Sequence, residues 1–151
     1  MSTFLDLRTS QGIRTGAVST NGATPDYVAG LGLQVDAGTN VRVELNGTIG
    51  VFITDIIIGQ LTFIVKQYTD PAQIGNFGEG VEVFRQTAAL TPPIANLRDI
   101  VSFSAADIVT LAPPTGILAY ALFVFVQGAA PGVISYQGQQ NLTAVATAGV
   151  P

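Results

Sequence analysis

The chain reads as an all-β protein, a two-sheet sandwich of the jelly-roll kind, and three observations predict it. Short runs of β-branched and aromatic residues recur along the 151 residues, several of them alternating apolar with polar side chains. That alternation is the period of a strand half-buried against a core. Turn chemistry separates the runs: residues 36–40, Asp70-Pro71, Gly75-Asn76, Thr91-Pro92-Pro93, residues 112–116 and Ala130-Pro131-Gly132. No window longer than a dozen residues carries a helical period.

The elements follow in order. Residues 4–8 and 12–18 are weak strand patterns, and residues 20–25 break the chain. Residues 28–35 alternate in strand fashion with Gly30 and Gly32 among them, which predicts close backbone packing or a bulge. Residues 41–45 alternate Val, Arg, Val, Glu and Leu; Asn46-Gly47 predicts a tight turn, and 48–53 resumes as a strand. In residues 61–68, Leu61, Phe63 and Val65 share one face, and Thr62, Ile64 and Lys66 the other. Residues 80–85 alternate again, 95–99 suit one short helical turn, and 100–103 suit a short strand. Residues 117–126 are apolar on both faces, as in a strand covered on both sides. Residues 133–136 and 142–148 complete the set. Eight or so strands at this spacing suit a sandwich or jelly roll.

The expected organisation is an N-terminal arm, residues 1–26, ahead of a jelly-roll domain, residues 27–151. The arm carries Phe4, Leu5, Leu7, Ile13 and Val18 as apolar anchors for adding a strand to a neighbouring subunit. A disordered leader is the competing reading.

Charge distribution points the same way. Residues 108–151, 44 in all, contain no charged side chain, whereas about a quarter to a third of an ordinary surface is charged. Neighbouring copies are expected to shield part of this stretch. Within it, Leu142, Ala144, Ala146 and Ala148 share one face, and their small size permits close approach of another subunit. They are the expected body interface. Only 11% of the chain is charged, against about 25% in an average protein. Thr, Gln, Asn, Ser and Gly make up the difference.

Several functions are disfavoured. Six scattered basic residues and a net charge of −4 offer no patch for nucleic acid or an anionic membrane. The lack of Cys removes disulfides and thiolate metal sites. The lack of His removes the commonest general base. Asp70, Glu79 and Glu82 are a weak signal for glycoside or calcium chemistry. Asp55 reads as a turn cap, Lys66 as an exposed strand residue, and Ser102 and Ser104 have no histidine to activate them. Asn46-Gly47-Thr48 and Asn141-Leu142-Thr143 match an acceptor pattern for glycans that often arises by chance, and without a secretory signal it is discounted. No catalytic, cofactor or metal residue is assigned, so the chain is expected not to be an enzyme and to need no cofactor. The N-terminus has no secretory pattern. The longest apolar run, ten residues from Ile117, is shorter than the about 20 of a membrane helix, so no membrane insertion is expected.

Residues 41–51, 61–65, 113–124 and 141–148 together resemble bacterial endospore-surface jelly rolls, a likeness spanning residues 28–149. These include Ena-type endospore appendage subunits and the C1q/TNF-like C-terminal domain of BclA-type exosporium proteins. The resemblance implies a homo-oligomer or polymer, trimer-like in its rings, at a cell or spore surface. For the appendages it also implies an N-terminal connector inserted into the next subunit. Two departures matter: the N-terminal cysteines of staple-like appendage subunits are absent, and so is the Gly-X-Y stalk of the exosporium proteins. The expected function is a structural subunit of a surface fibre, polymerising without covalent links by N-terminal strand addition. The alternatives are a trimeric head that binds a glycan or receptor, with Tyr27, Tyr68 or Tyr136 on its rim, and a viral or phage structural jelly roll.

Overall fold

The computed structural model describes residues 3–12, 14–92 and 94–148. Among these residues nine strands carry the alternation: β1 (Thr3–Gly12), β2 (Asp26–Gln34), β3 (Val41–Ile53), β4 (Gly59–Tyr68), β5 (Val81–Leu90), β6 (Leu97–Val109), β7 (Ile117–Gln127), β8 (Ile134–Tyr136) and β9 (Gln140–Ala148). A single 3₁₀ turn, Pro71–Gln73, lies between β4 and β5. Its first turn is capped by the Asp70 carboxylate, which accepts from the Ala72 N–H at 3.0 Å.

Sheet one has the order β1-β9-β3-β6, with the short β8 continuing the line of β9 along β3. Sheet two has the order β2-β7-β4-β5. All pairings are antiparallel, and successive strands mostly switch sheets, as a jelly roll requires. The all-β class and the sandwich are as expected.

Sheet one contributes Val41, Val43, Leu45, Ile49, Val51 and Ile53 of β3 and Leu142, Ala144 and Ala146 of β9 to the interior. Sheet two contributes Leu61, Phe63 and Val65 of β4 and Leu118, Tyr120, Leu122, Val124 and Val126 of β7. These two inner faces interdigitate as one core.

A second cluster lies on the far side of sheet two. The opposite face of β7 (Ala119, Ala121, Phe123 and Phe125) packs with Ile64 and Tyr68, and Ile74 and Phe77 cover it from the loop after the 3₁₀ turn. Phe123 meets Phe77 and Tyr27 edge-on, at centroid distances of 5.0 and 5.8 Å. A side-chain carbon at Gly22 would lie 3.1 Å from the Phe125 ring, so the connector before β2 also closes over this face.

Three expectations are corrected. Asn46-Gly47 makes no turn; β3 runs straight through it. Glycine stands there because a Cβ would lie 2.3 Å from Cε1 of Phe103, whose ring crosses that point from β6. Residues 97–99 are extended rather than helical, and β6 is thirteen residues long. Lys66 is half-buried: its ammonium donates to the Phe77 carbonyl and lies 4.5 Å above the Phe77 ring, holding the cover loop down. The apolar run of β7 is covered on both faces, as expected, and the cover comes from its own chain.

Candidate assembly surface

The sequence-derived interface residues fall in three places. Leu142, Ala144 and Ala146 are fully buried and Ala148 nearly so, all pointing into the sandwich. Their assignment to a subunit interface is corrected: small residues on β9 accommodate the facing sheet of the same chain. The opposite face of β9, Asn141, Thr143, Val145 and Thr147, is the half-exposed one.

The N-terminal residues do not stand apart as an arm. β1 pairs with β9 of its own chain from Thr3↔Ala148 to Gly12↔Gln140. Phe4 and Leu7 are 63% and 52% exposed, and Leu5 packs partly against the core. Val18 is buried in its own chain's core. Ile13 lies outside the described residues. Tyr68 and Tyr136, suggested for a binding rim, are buried, and Tyr27 alone of the three reaches the surface.

What the fold leaves uncovered is the outer face of sheet one. Across it run Thr9, Thr143, Asn46 and Ser104 in one row, and Gln11, Asn141, Thr48 and Ser102 in the next, by strand register. The Thr9 and Thr143 hydroxyls are 3.2 Å apart, and the Ser104 hydroxyl donates to the Asn46 amide oxygen. Short side chains leave two shallow depressions of about 430 and 360 Å³, both lined by Asn46 and Ser104. The middle of the face is polar. Arg42 and Glu44 on β3 pair with each other at 3.4 Å, and apolar Leu7 and Val145 share the Glu44 row while Phe4 and Ile108 share the Arg42 row.

β6 borders this face. It pairs with β3 on one side and, among the described residues, with no strand on the other. Pairings of the other three edge strands, β1, β2 and β5, are interrupted by register shifts. The β6 register runs unbroken from Val41↔Val109 to Ile53↔Leu97. Natural edges are normally blunted by bulges, prolines or charges. Residues 100–106 have neither a charge nor a proline. Ile100 and Ile108 point outward, 76% and 58% exposed.

β6 is held firmly. Asp107 on its inner side accepts from the Gln67 amide at 2.7 Å and the Tyr120 hydroxyl at 2.9 Å, both from sheet two. Burial, reinforced by the Asp107 charge, pushes the Tyr120 phenol well above its ordinary range. Inner Phe103 stacks with Phe84 of β5 and meets Phe63 of β4. The signal for β6 was present in the sequence as two out-of-phase isoleucines, Ile100 and Ile108, set against inward Val101, Phe103 and Val109. An apolar residue on both faces masked the alternation.

The weak acidic constellation does not gather. Glu82 is paired with Arg85 at 2.8 Å, and that bond holds its carboxyl below the usual range. Asp70 is occupied as a cap, and among the described residues no group of three acidic, His or Cys side chains could hold a metal. No helix of the described residues is long and apolar enough to cross a membrane.

No protein-family model matches the chain, and no curated protein matches it. Among solved structures it is similar to the Eiger TNF of S. frugiperda, with 10% identity, a TM-score of 0.49, and coverage of 95% of this chain and 92% of that one. It is also similar to the VP2 subviral particle protein of infectious bursal disease virus, with 15% identity and a TM-score of 0.46. That match covers 97% of this chain but 37% of the viral one, so the chain spans little more than a third of the viral protein's length. At these identities the likeness concerns fold, and none of these matches points to endospore appendage or exosporium proteins in particular. The strand order itself establishes an all-β sandwich of the jelly-roll kind.

Proposed function

We propose that the chain is a structural subunit that assembles with copies of itself through the β6 edge and the adjoining outer face of sheet one. The observation that carries this is the free edge of β6: thirteen residues in unbroken register without a bulge or proline, charged only near the ends at Arg98, Asp99 and Asp107, with Ile100 and Ile108 exposed on its outer side. Each main-chain hydrogen bond made across such an edge contributes about 0.5–1.5 kcal/mol net, and burial of the isoleucines adds about 25 cal/mol per Å². The finer reading is a non-covalent fibre at a cell or spore surface, in which an N-terminal strand is passed between neighbours. It rests on the endospore resemblance and on the position of β1 at the border of the same sheet.

The test is the double variant Ile100→Lys/Ser104→Lys, which charges the edge without touching the core. Light scattering on purified protein should give a mass above 15.6 kDa for the wild type and the single-chain mass for the variant. Both should show the same folded circular dichroism. A wild type that stays at the single-chain mass at every concentration overturns the proposal.

A further inference from the structure

The N-terminal segment is two mechanically different pieces. The first is β1. It is held by its backbone ladder to β9, by Leu5 against the core, by its run alongside β2, and by one hydrogen bond to that strand, the Asp6 carboxylate accepting from the Gln34 N–H at 2.8 Å. A register shift between Phe4 and Asp6 weakens the ladder, and Phe4 and Leu7 bury little.

The second piece is residues 14–26, and it is locked. The Asp26 carboxylate accepts from Arg14 Nη2 at 3.1 Å, from the Ser19 N–H at 2.8 Å and from the Tyr136 hydroxyl at 2.7 Å. Arg14 Nη1 donates to the Tyr27 carbonyl at 2.8 Å, and the guanidinium carbon lies 5.3 Å from the centre of the Tyr136 ring. The Arg14 N–H donates to the side-chain oxygen of Gln140, a residue with no exposed surface. Val18 is 2% exposed, and its N–H donates to the Ile134 carbonyl at 2.9 Å. Removing any one donor from Asp26 would leave a partly buried charge under-satisfied, which makes the hub costly to open. Stability in a fold is local, and a segment with few buried contacts opens without its neighbours.

We propose that residues 3–12 are a detachable strand, that the Arg14–Asp26 hub is the fixed pivot from which it swings, and that β1 of a second copy fills the β9 edge it leaves. This deepens the self-assembly reading above and rests on it. The occupant is specified by the lost bonds. A bared β9 needs an antiparallel strand that places a hydroxyl opposite Thr143 and a carboxylate at the Gln34 N–H, and β1 of another copy supplies Thr9 and Asp6 in the same register. Exchange of an identical element keeps every contact.

The variant Thr9→Cys/Thr143→Cys tests it, because the chain has no other cysteine and the two hydroxyls it replaces are 3.2 Å apart. Full-length protein is oxidised when dilute and when assembled, then run on denaturing, non-reducing gels with light scattering in parallel. The expected result is one single-chain band from dilute protein and a ladder of linked chains from assembled protein. Assembled particles that yield only the single-chain band overturn strand exchange and leave self-assembly standing. Protein that never assembles overturns both. Hydrogen exchange on the wild type is the check that needs no variant: amides of residues 3–12 should exchange at least tenfold faster than those of residues 16–19. Equal rates would overturn the detachable strand, whatever the gels show.

Discussion

The two outer faces of this sandwich are built from the same architecture and finished in opposite ways. Behind sheet two, β7 offers Ala119, Ala121, Phe123 and Phe125, and the chain folds its own loop over them with Ile74, Phe77 and Lys66. Behind sheet one, β9 and its neighbours offer Thr, Asn and Ser together with exposed Phe4 and Leu7 and half-exposed Val145, and nothing of the described chain covers them. Absence of charge therefore has two meanings in one polypeptide. On β7 it reports burial by the chain itself. On β9 it reports a half-exposed surface on which short polar groups replace charged ones, which suits a neighbour of the same make.

The most severe way to break this contrast is to put a charge behind each sheet. Ala121→Lys buries an ammonium beside Lys66 beneath the cover loop and should cost on the order of 4 kcal/mol or more. Urea unfolding is expected to show a protein largely unfolded before denaturant is added. A milder cut removes the clasp alone. Lys66→Met keeps the apolar stem but loses the bond to the Phe77 carbonyl and the contact with its ring. The expected loss is about 1–2 kcal/mol, with faster hydrogen exchange confined to residues 70–80. Val145→Lys, on the outer face of β9, should move stability by no more than about 0.5 kcal/mol while weakening self-association measured by light scattering. A large loss of stability from Val145→Lys would show that the two faces are not different in kind.

How far the sequence reveals this follows from what each residue answers to. β4 and β7 were legible because their side chains respond to burial, and the inner faces Leu61, Phe63 and Val65 came out in phase. β9 was legible as a strand but read inside out. Alternation shows that Leu142, Ala144 and Ala146 share a side, and it cannot say whether that side meets a facing sheet or another molecule. Asn46-Gly47 was misread because glycine answers to two unrelated demands, a left-handed turn or a missing Cβ, and the second depends on Phe103, a residue 56 positions further along the chain. The Asp26 hub was invisible: Arg14, Ser19, Asp26, Tyr136 and Gln140 meet only once β8 and β9 lie beside the connector. The edge of β6 was hidden for a related reason, since being unpaired is a property of topology and leaves no periodic trace.

The placement of β7 and β9 also governs the order in which the molecule can be made. β7 lies between β2 and β4, and β9 between β1 and β3, so each sheet receives a middle strand from the final third of the chain. β2 waits for partners some ninety residues downstream, from Asp26↔Val124 to Gln34↔Ile117. Until residues 117–148 are present, β1 and β3 lack the β9 that joins them, and β2 and β4 lack β7. Ladders that close over such distances form slowly, and until residues 117–148 join them the earlier strands keep open edges on which a misfolded pairing could start.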